Sequence, residues 1–368
     1  MVTSRNDDHG GNLLSRAQVF VNAFMSQVER YRINAELIFV EWNPVPNKPR
    51  LYQTLKWPHS SCKVRVIEVP QRIHRRFKHS DKLPLFQMIA KNVGICRARG
   101  KFVLSTNIDV LFSDELAAFL ASGGLGPNLF YRIDRYDVRS KIPLRASLQK
   151  QLAYCRRNVI RVNTRAGTFQ ADWFFWHGLG PLKRDVIDQI TSHHIKSRLA
   201  YMISSIQWNR KHLPSRIFRM ARSLIAFSYS ILQRIGVIHP YPKLHTNGCG
   251  DFTLLSRENW WALRGYPELE MFSFNLDSIL LHMAHHLGLR EKILDGKMRL
   301  YHIEHLEGWT PKSERQMYRR LQRQGIPILS YAEFELMATQ MNKMKCPLIL
   351  NDENWGLRSK KLREFVVS

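Results

Sequence analysis

Asn92-Val-Gly-Ile-Cys-Arg-Ala-Arg-Gly-Lys-Phe-Val-Leu-Ser-Thr-Asn-Ile-Asp109 passes from the end of an amphipathic helix into a strand and stops at a polar tip. Leu85, Ile89, Val93 and Cys96 fall near helical spacing, Pro84 suits a first turn, and Gly100 ends the run. Phe102 to Leu104 are apolar, so a strand is expected over Phe102 to Ser105, with Asn107-Ile108-Asp109 where it runs out. In an open α/β sheet, ligands bind at the carboxyl ends of the strands. Side chains two residues apart share a face of an extended chain, so Asn107 and Asp109 can present oxygens to a hard divalent cation that also holds phosphate oxygens. The alternative is that the two residues only form a turn and cap a helix starting near Ser113-Asp114-Glu115.

Outward from this stretch, Glu36 to Trp42 carries the apolar run Leu37-Ile38-Phe39-Val40, of the kind buried on both faces of a parallel sheet. Val64 to Val69 reads as another strand, and a long helix places Leu13, Ala17, Phe20, Val21, Phe24 and Val28 on one face. Val2 and Thr3 read as the end of a strand that begins upstream of Met1. Strand and helix alternate as in an α/β fold with polar tips at one edge. Neither Gly-x-Gly-x-x-Gly nor Gly-x-x-x-x-Gly-Lys-Ser/Thr occurs, so no dinucleotide fingerprint or P-loop is expected.

The 368 residues, 44% hydrophobic, suffice for a sizeable core. Lys and Arg number 56 against 30 Asp and Glu, a net charge of +26 that attracts polyanions: nucleic acid, anionic lipid or nucleotide diphosphates. Five scattered cysteines without a Cys-x-x-Cys pair argue for reduced thiols in the cytosol, against a zinc ribbon or disulfide framework. The polar start predicts no signal peptide, and no uncharged apolar run approaches the roughly 20 residues that span a bilayer.

Further on, a helix capped by Ser113 is expected to Ala121, then a strand through Phe130 to Arg135. Phe169 to Trp176 is rich in rings around Asp172-Trp173, which serve either core packing or an acceptor-sugar platform. From Val186 to Val237 basic and apolar residues interleave, and no acid follows Asp188 until Asp251. Such helices can lie in a membrane interface; a solvated insertion packed on the domain and a nucleic-acid patch are the alternatives. In His245-Thr-Asn-Gly-Cys-Gly-Asp251, two glycines allow close backbone approach to a ligand. Asp277 opens a helix from Ser278 to Leu287, where the dipole favours its ionised form. Tyr301-His-Ile-Glu-His305 lacks zinc-protease spacing. As a strand, it would send His302 and His305 to opposite faces, so one imidazole could reach a metal held by Asp109.

Taken in order, an Asn-x-Gly-x-x-x-Ala-x-Gly helix, a strand with an x-x-Asp tip, a Gly-rich loop, an acid at a helix start and a late His resemble the marks of the GT-A glycosyltransferases. Asn107 stands where that family usually has Asp. The resemblance covers most of residues 1–185 and 240–310. It implies a Rossmann-like mixed sheet flanked by helices, with residues 1–185 binding the nucleotide sugar and residues 241–310 completing the acceptor and catalytic part. Residues 186–240 are expected to form a basic helical insertion and residues 311–368 a helical C-terminal tail, both outside the resemblance. It implies transfer of a sugar from a nucleotide-diphosphate donor, a UDP-sugar in the first instance, to a glycan or lipid-linked acceptor hydroxyl. Arg5, Glu41, Asn92 and Asn107 would hold the nucleotide. Asp109, Asn107 and His305 or His302 would hold Mn2+ or Mg2+. Asp277 or Asp251 would be the base, and Asp172, Trp173 and Trp176 would meet the acceptor. The place of action would be the cytoplasm, with residues 194–237 at the inner membrane face; nucleic acid is not an expected partner. A non-catalytic nucleotide-sugar-binding relative and a basic nucleic-acid-binding protein are the competing classes.

Overall fold

The computed structural model describes residues 1–8, 10–171, 240–305 and 311–367. Met1–Ala171 and Leu244–Ser368 make one unit, and the basic stretch 186–237 lies outside the described residues. In chain order the first half holds β1 (Val2–Ser4), α1 (Leu13–Tyr31), β2 (Glu36–Trp42), α2 (Leu51–Thr54), β3 (Lys63–Val69), α3 (Gln71–His74), α4 (Gln87–Ile95) and β4 (Phe102–Thr106). After these come β5 (Val110–Phe112), α5 (Asp114–Ala121), β6 (Leu129–Ile133), β7 (Arg135–Val138), α6 (Leu148–Arg157), β8 (Val159–Thr164) and β9 (Gly167–Gln170). The remainder is β10 (Phe252–Ser256), α7 (Arg257–Ala262), α8 (Leu276–His286), β11 (Arg290–Leu294), β12 (Leu300–Ile303), α9 (Pro311–Gln324), α10 (Tyr331–Met344) and β13 (Arg363–Val367).

Two four-stranded sheets, β1-β2-β3-β13 and β11-β6-β10-β4, meet edge to edge at Met1. The Met1 carbonyl accepts from Thr106 N at 3.1 Å, and its amino group donates to Leu104 O at 2.6 Å. β1, β2 and β3 run parallel, whereas β10 is antiparallel to both β4 and β6. The apolar run of β2 is buried on both faces, and Leu13, Ala17, Phe20, Val21 and Val28 of α1 pack into the same core as Phe39 and Val66. A third sheet, β5-β12-β7-β8-β9, stands beyond. The strand expected over Phe130 to Arg135 divides at Asp134, whose carboxylate binds His245 Nε2 at 2.9 Å, so β6 and β7 serve different sheets.

The helix expected from Ser278 to Leu287 runs from Leu276 to His286, and two other boundaries also move. α4 starts after Pro84 and ends at Ile95, well before Gly100. Arg97 and Ala98 close the end with i→i+3 bonds, while the Arg97 guanidinium reaches Gly356 O at 2.7 Å and Leu357 O at 2.8 Å. The expected helical tail is helical only through α9 and α10. Its end, β13, adds to β3 antiparallel, fixed by Glu364 on Arg65 at 2.6 Å and by Phe365 stacked on Tyr52.

Candidate metal centre

β4 runs out at Thr106, a three-residue turn carries Asp109, and β5 pairs antiparallel with β12 so that Val110 faces His302. That register brings the late histidines to the strand tip. Asp109 Oδ2 lies 3.2 Å from His305 Nε2 and 3.8 Å from His302 Nε2. The three side chains offer one ligand atom each, all within 4.8 Å of one another. Both imidazoles reach Asp109, contrary to strand alternation, because β12 stops at Ile303 and His305 lies beyond it. Glu304 leaves for Arg161.

Arg16 of α1 places Nη1 2.7 Å from Asp109 Oδ2, while Oδ1 is buried with no partner among the described residues. Burial favours the protonated acid, but the His305 hydrogen bond and the charges of His302, His305 and Arg16 hold Asp109 well below the usual carboxylate range. Gly10, at φ +74°, seals the far side: a Cβ there would stand 2.6 Å from His305 Nδ1.

Behind His302 stands a residue that sequence reasoning missed. Asp137 of β7 is fully buried and takes His302 Nδ1 at 3.1 Å, Arg135 Nε at 2.8 Å, Arg161 Nε at 3.0 Å and Asn163 Nδ2 at 3.1 Å. Burial opposes its charge, yet Arg135, His302 and Arg161 keep its carboxyl strongly depressed. A carboxylate on one imidazole nitrogen fixes the tautomer and leaves the other nitrogen's lone pair toward a metal. The only sequence signal for Asp137 is a charged residue inside the apolar-flanked Tyr136-Asp137-Val138 of a strand.

Asp109, His302 and His305 open into a cleft of about 700 Å³ whose lining also includes Arg5, Asn107, Arg135, Arg161 and Asp251. Scanned against models of known families and against curated proteins, the chain matches none. Asp251 is 4% exposed, and its carboxylate is fixed between Asn107 Nδ2 and Arg135 Nη1. Asn107 thus turns its amide to Asp251, and its oxygen accepts from Gln87 at 3.4 Å rather than joining Asp109.

The other expected residues divide. Arg5 lines the cleft and a neighbouring hollow of about 560 Å³ with Asn43, His74 and Arg75. It is braced by Asn43 O at 2.7 Å and Asp7 at 2.6 Å. Glu41 and Asn92 do not enter either space. Glu41 is fully buried, its oxygens accepting Leu51 N at 2.9 and 3.1 Å, and burial raises its pKa to about 7. Asn92 clamps the turn after α7, donating to Tyr266 O and Glu268 at 2.8 Å each. Asp277 is half-buried at the start of α8 and stands behind Gly250, apart from the cleft lining; burial raises its pKa. Asp172, Trp173 and Trp176 lie outside the described residues.

The C-terminal part contributes more than the sequence implied: Arg320, Leu321 and Gln324 of α9 and Ile326 border the cleft, with Phe272 and Lys82 nearby. Two imidazoles and a carboxylate suit a divalent first-row transition-metal ion, Mn2+ among them, better than Mg2+, which prefers oxygen alone. The partnerless Asp109 Oδ1 and the oriented His302 fit such an ion. Among the described residues no helix is long and apolar enough to cross a membrane.

Proposed function

We propose that the chain is a metal-dependent glycosyltransferase of the GT-A type, moving a sugar from a nucleotide-diphosphate donor to a hydroxyl of a glycan or lipid-linked acceptor. The observation that carries this reading is the Asp109–His302–His305 cluster at the tip of β4, opening into a cleft ringed by arginines. Three parallel strands, an antiparallel β10 beside β4, and a cleft at the strand tips support it further. Asp109, His302 and His305 would hold Mn2+, which supplies positive charge to the departing diphosphate. Arg16 and Arg135 stand beside the centre as fixed cations and stabilise negative charge as the donor bond breaks. Arg5, between cleft and hollow, places the nucleotide. Of the two candidate bases, Asp251 lines the cleft and Asp277 does not, so Asp251 takes the acceptor proton.

A thermal-melt and calorimetric panel of UDP, GDP, CDP and dTDP, with and without Mn2+ at fixed salt, tests this. One nucleotide should stabilise the protein only with Mn2+, by about 2.7 kcal/mol at a hundredfold excess over Kd. Asp109→Asn should abolish that gain. No stabilisation by any nucleotide, with tight salt-sensitive binding to nucleic acid, overturns the proposal and turns the +26 charge toward a nucleic-acid partner.

A further inference from the structure

Two buried cations gather the carbonyls of the Gly-rich loop. Arg132 of β6, fully buried, donates to His245 O at 2.9 Å, Asn247 O at 3.2 Å and Cys249 O at 3.4 Å. Lys91 of α4, also fully buried, donates from Nζ to Gly250 O. Its ammonium lies 6.0 Å from the Tyr266 ring centroid. Asp251 and Asp277 supply the negative charge around Lys91. Gly250 fits tightly between: a Cβ there would come 2.9 Å from Asp277 Oδ2.

An ammonium in a protein interior carries a desolvation penalty of several kcal/mol, which an apolar residue at the same helix position would avoid. The compensation is local to the loop. With Gly250 O held inward and Asp251 O accepting from Thr106 Oγ1 at 2.6 Å, the Asp251 side chain is sent outward to Asn107 and Arg135 at the cleft wall.

We propose that Lys91 is a positioning residue: by holding the Gly250 carbonyl from behind, it sets where the Asp251 carboxylate stands in the cleft. The consequence for turnover rests on the glycosyltransferase reading; the placement of the loop does not.

The test compares Lys91→Met and Lys91→Arg with the unaltered chain by crystal structure, Mn2+ calorimetry, and release of UDP from UDP-glucose. In Lys91→Met the 249–251 turn should shift and the Asn107–Asp251 bond should break. Mn2+ affinity and KM should stay, while kcat falls about 100-fold, the scale of a small misplacement at a reacting centre. Lys91→Arg should keep the turn and recover most of kcat. An unmoved turn and Asp251 in Lys91→Met overturns the inference. If the unaltered chain releases no UDP, UDP-glucose is excluded as its donor while the crystal comparison still decides the role of Lys91. Should Lys91→Met not fold, Gly250→Ala pushes the same carbonyl off Lys91 from the Asp277 side, and an unmoved Asp251 there overturns it equally.

Discussion

Asp137→Asn separates a metal centre held from behind from one assembled by its ligands alone. His302 Nδ1 and Arg135 Nε lie on Asp137 Oδ1, while Arg161 Nε, Asn163 Nδ2 and Arg135 Nη2 at 3.3 Å lie on Oδ2. An amide of the same shape keeps one oxygen, so its NH2 must confront one of those two groups. Turned toward Arg161 and Asn163, it leaves Arg161 with Glu304 alone. Turned toward His302, it forces Nδ1 to accept, and Nε2 then carries the proton that points at Asp109. Either choice breaks a buried ionic network, for which about 3–5 kcal/mol of stability is the usual loss. Loss of an orienting carboxylate behind a ligand histidine lowers metal affinity by about 10–100-fold, equivalent to about 1.4–2.8 kcal/mol. The assay is calorimetric titration with MnCl2, well below both melting temperatures so that lost folding is not read as lost affinity. A folded Asp137→Asn variant with an unchanged Kd for Mn2+ refutes the reasoning.

Glu41→Gln should alter how stability depends on pH. Folding raises the Glu41 pKa from 4.5 to about 7, so the native state binds the extra proton and the unaltered chain loses stability as pH rises between those values. The loss is about 3 kcal/mol. The variant should therefore gain on the unaltered chain from pH 5 to pH 8 in denaturant melts, and parallel curves would contradict the assignment. Gly10→Ala should weaken Mn2+ binding about tenfold, because its Cβ would overlap His305 Nδ1 and L residues strain at a φ of +74°; equal Mn2+ affinity would place His305 outside the centre.

How far the sequence alone carries depends on where each residue's partners lie. β2 announces itself because Leu37 to Val40 are buried on both faces, a property of the strand's own composition. The place of Asp109 at a strand tip was legible because the helix, strand and polar tip that deliver it are contiguous. Asp137 and Arg16 were not: their roles appear only when β7 meets β12, and when α1 comes within 2.7 Å of a residue 93 positions on. Glu41 and Asn92 show the converse. Each sits near a strand tip or helix end that ligands favour, but α2 and the turn at Tyr266 claim their polar atoms. Periodicity says that such a residue is polar and nearby; tertiary packing decides what it faces. His302 and His305 illustrate the point within five residues, since alternation predicted opposite faces and an early strand end brought both rings to one carboxylate.

The antiparallel seam between β3 and β13 makes assembly of this unit a two-ended event. Arg65 is buried with its guanidinium shared between Glu36, 29 residues away, and Glu364, 299 residues away. Strands β1 to β3 can pair among themselves early in synthesis, but β3 then waits as an open edge until residues 363–367 arrive. An unpaired edge is a template for any other extended chain. Closures across such sequence separations are also slow. Chains lacking 363–367 leave the seven-residue β3 as the open edge, whereas the whole sheet ends on the shorter β13, whose first residues are the charged Arg363 and Glu364.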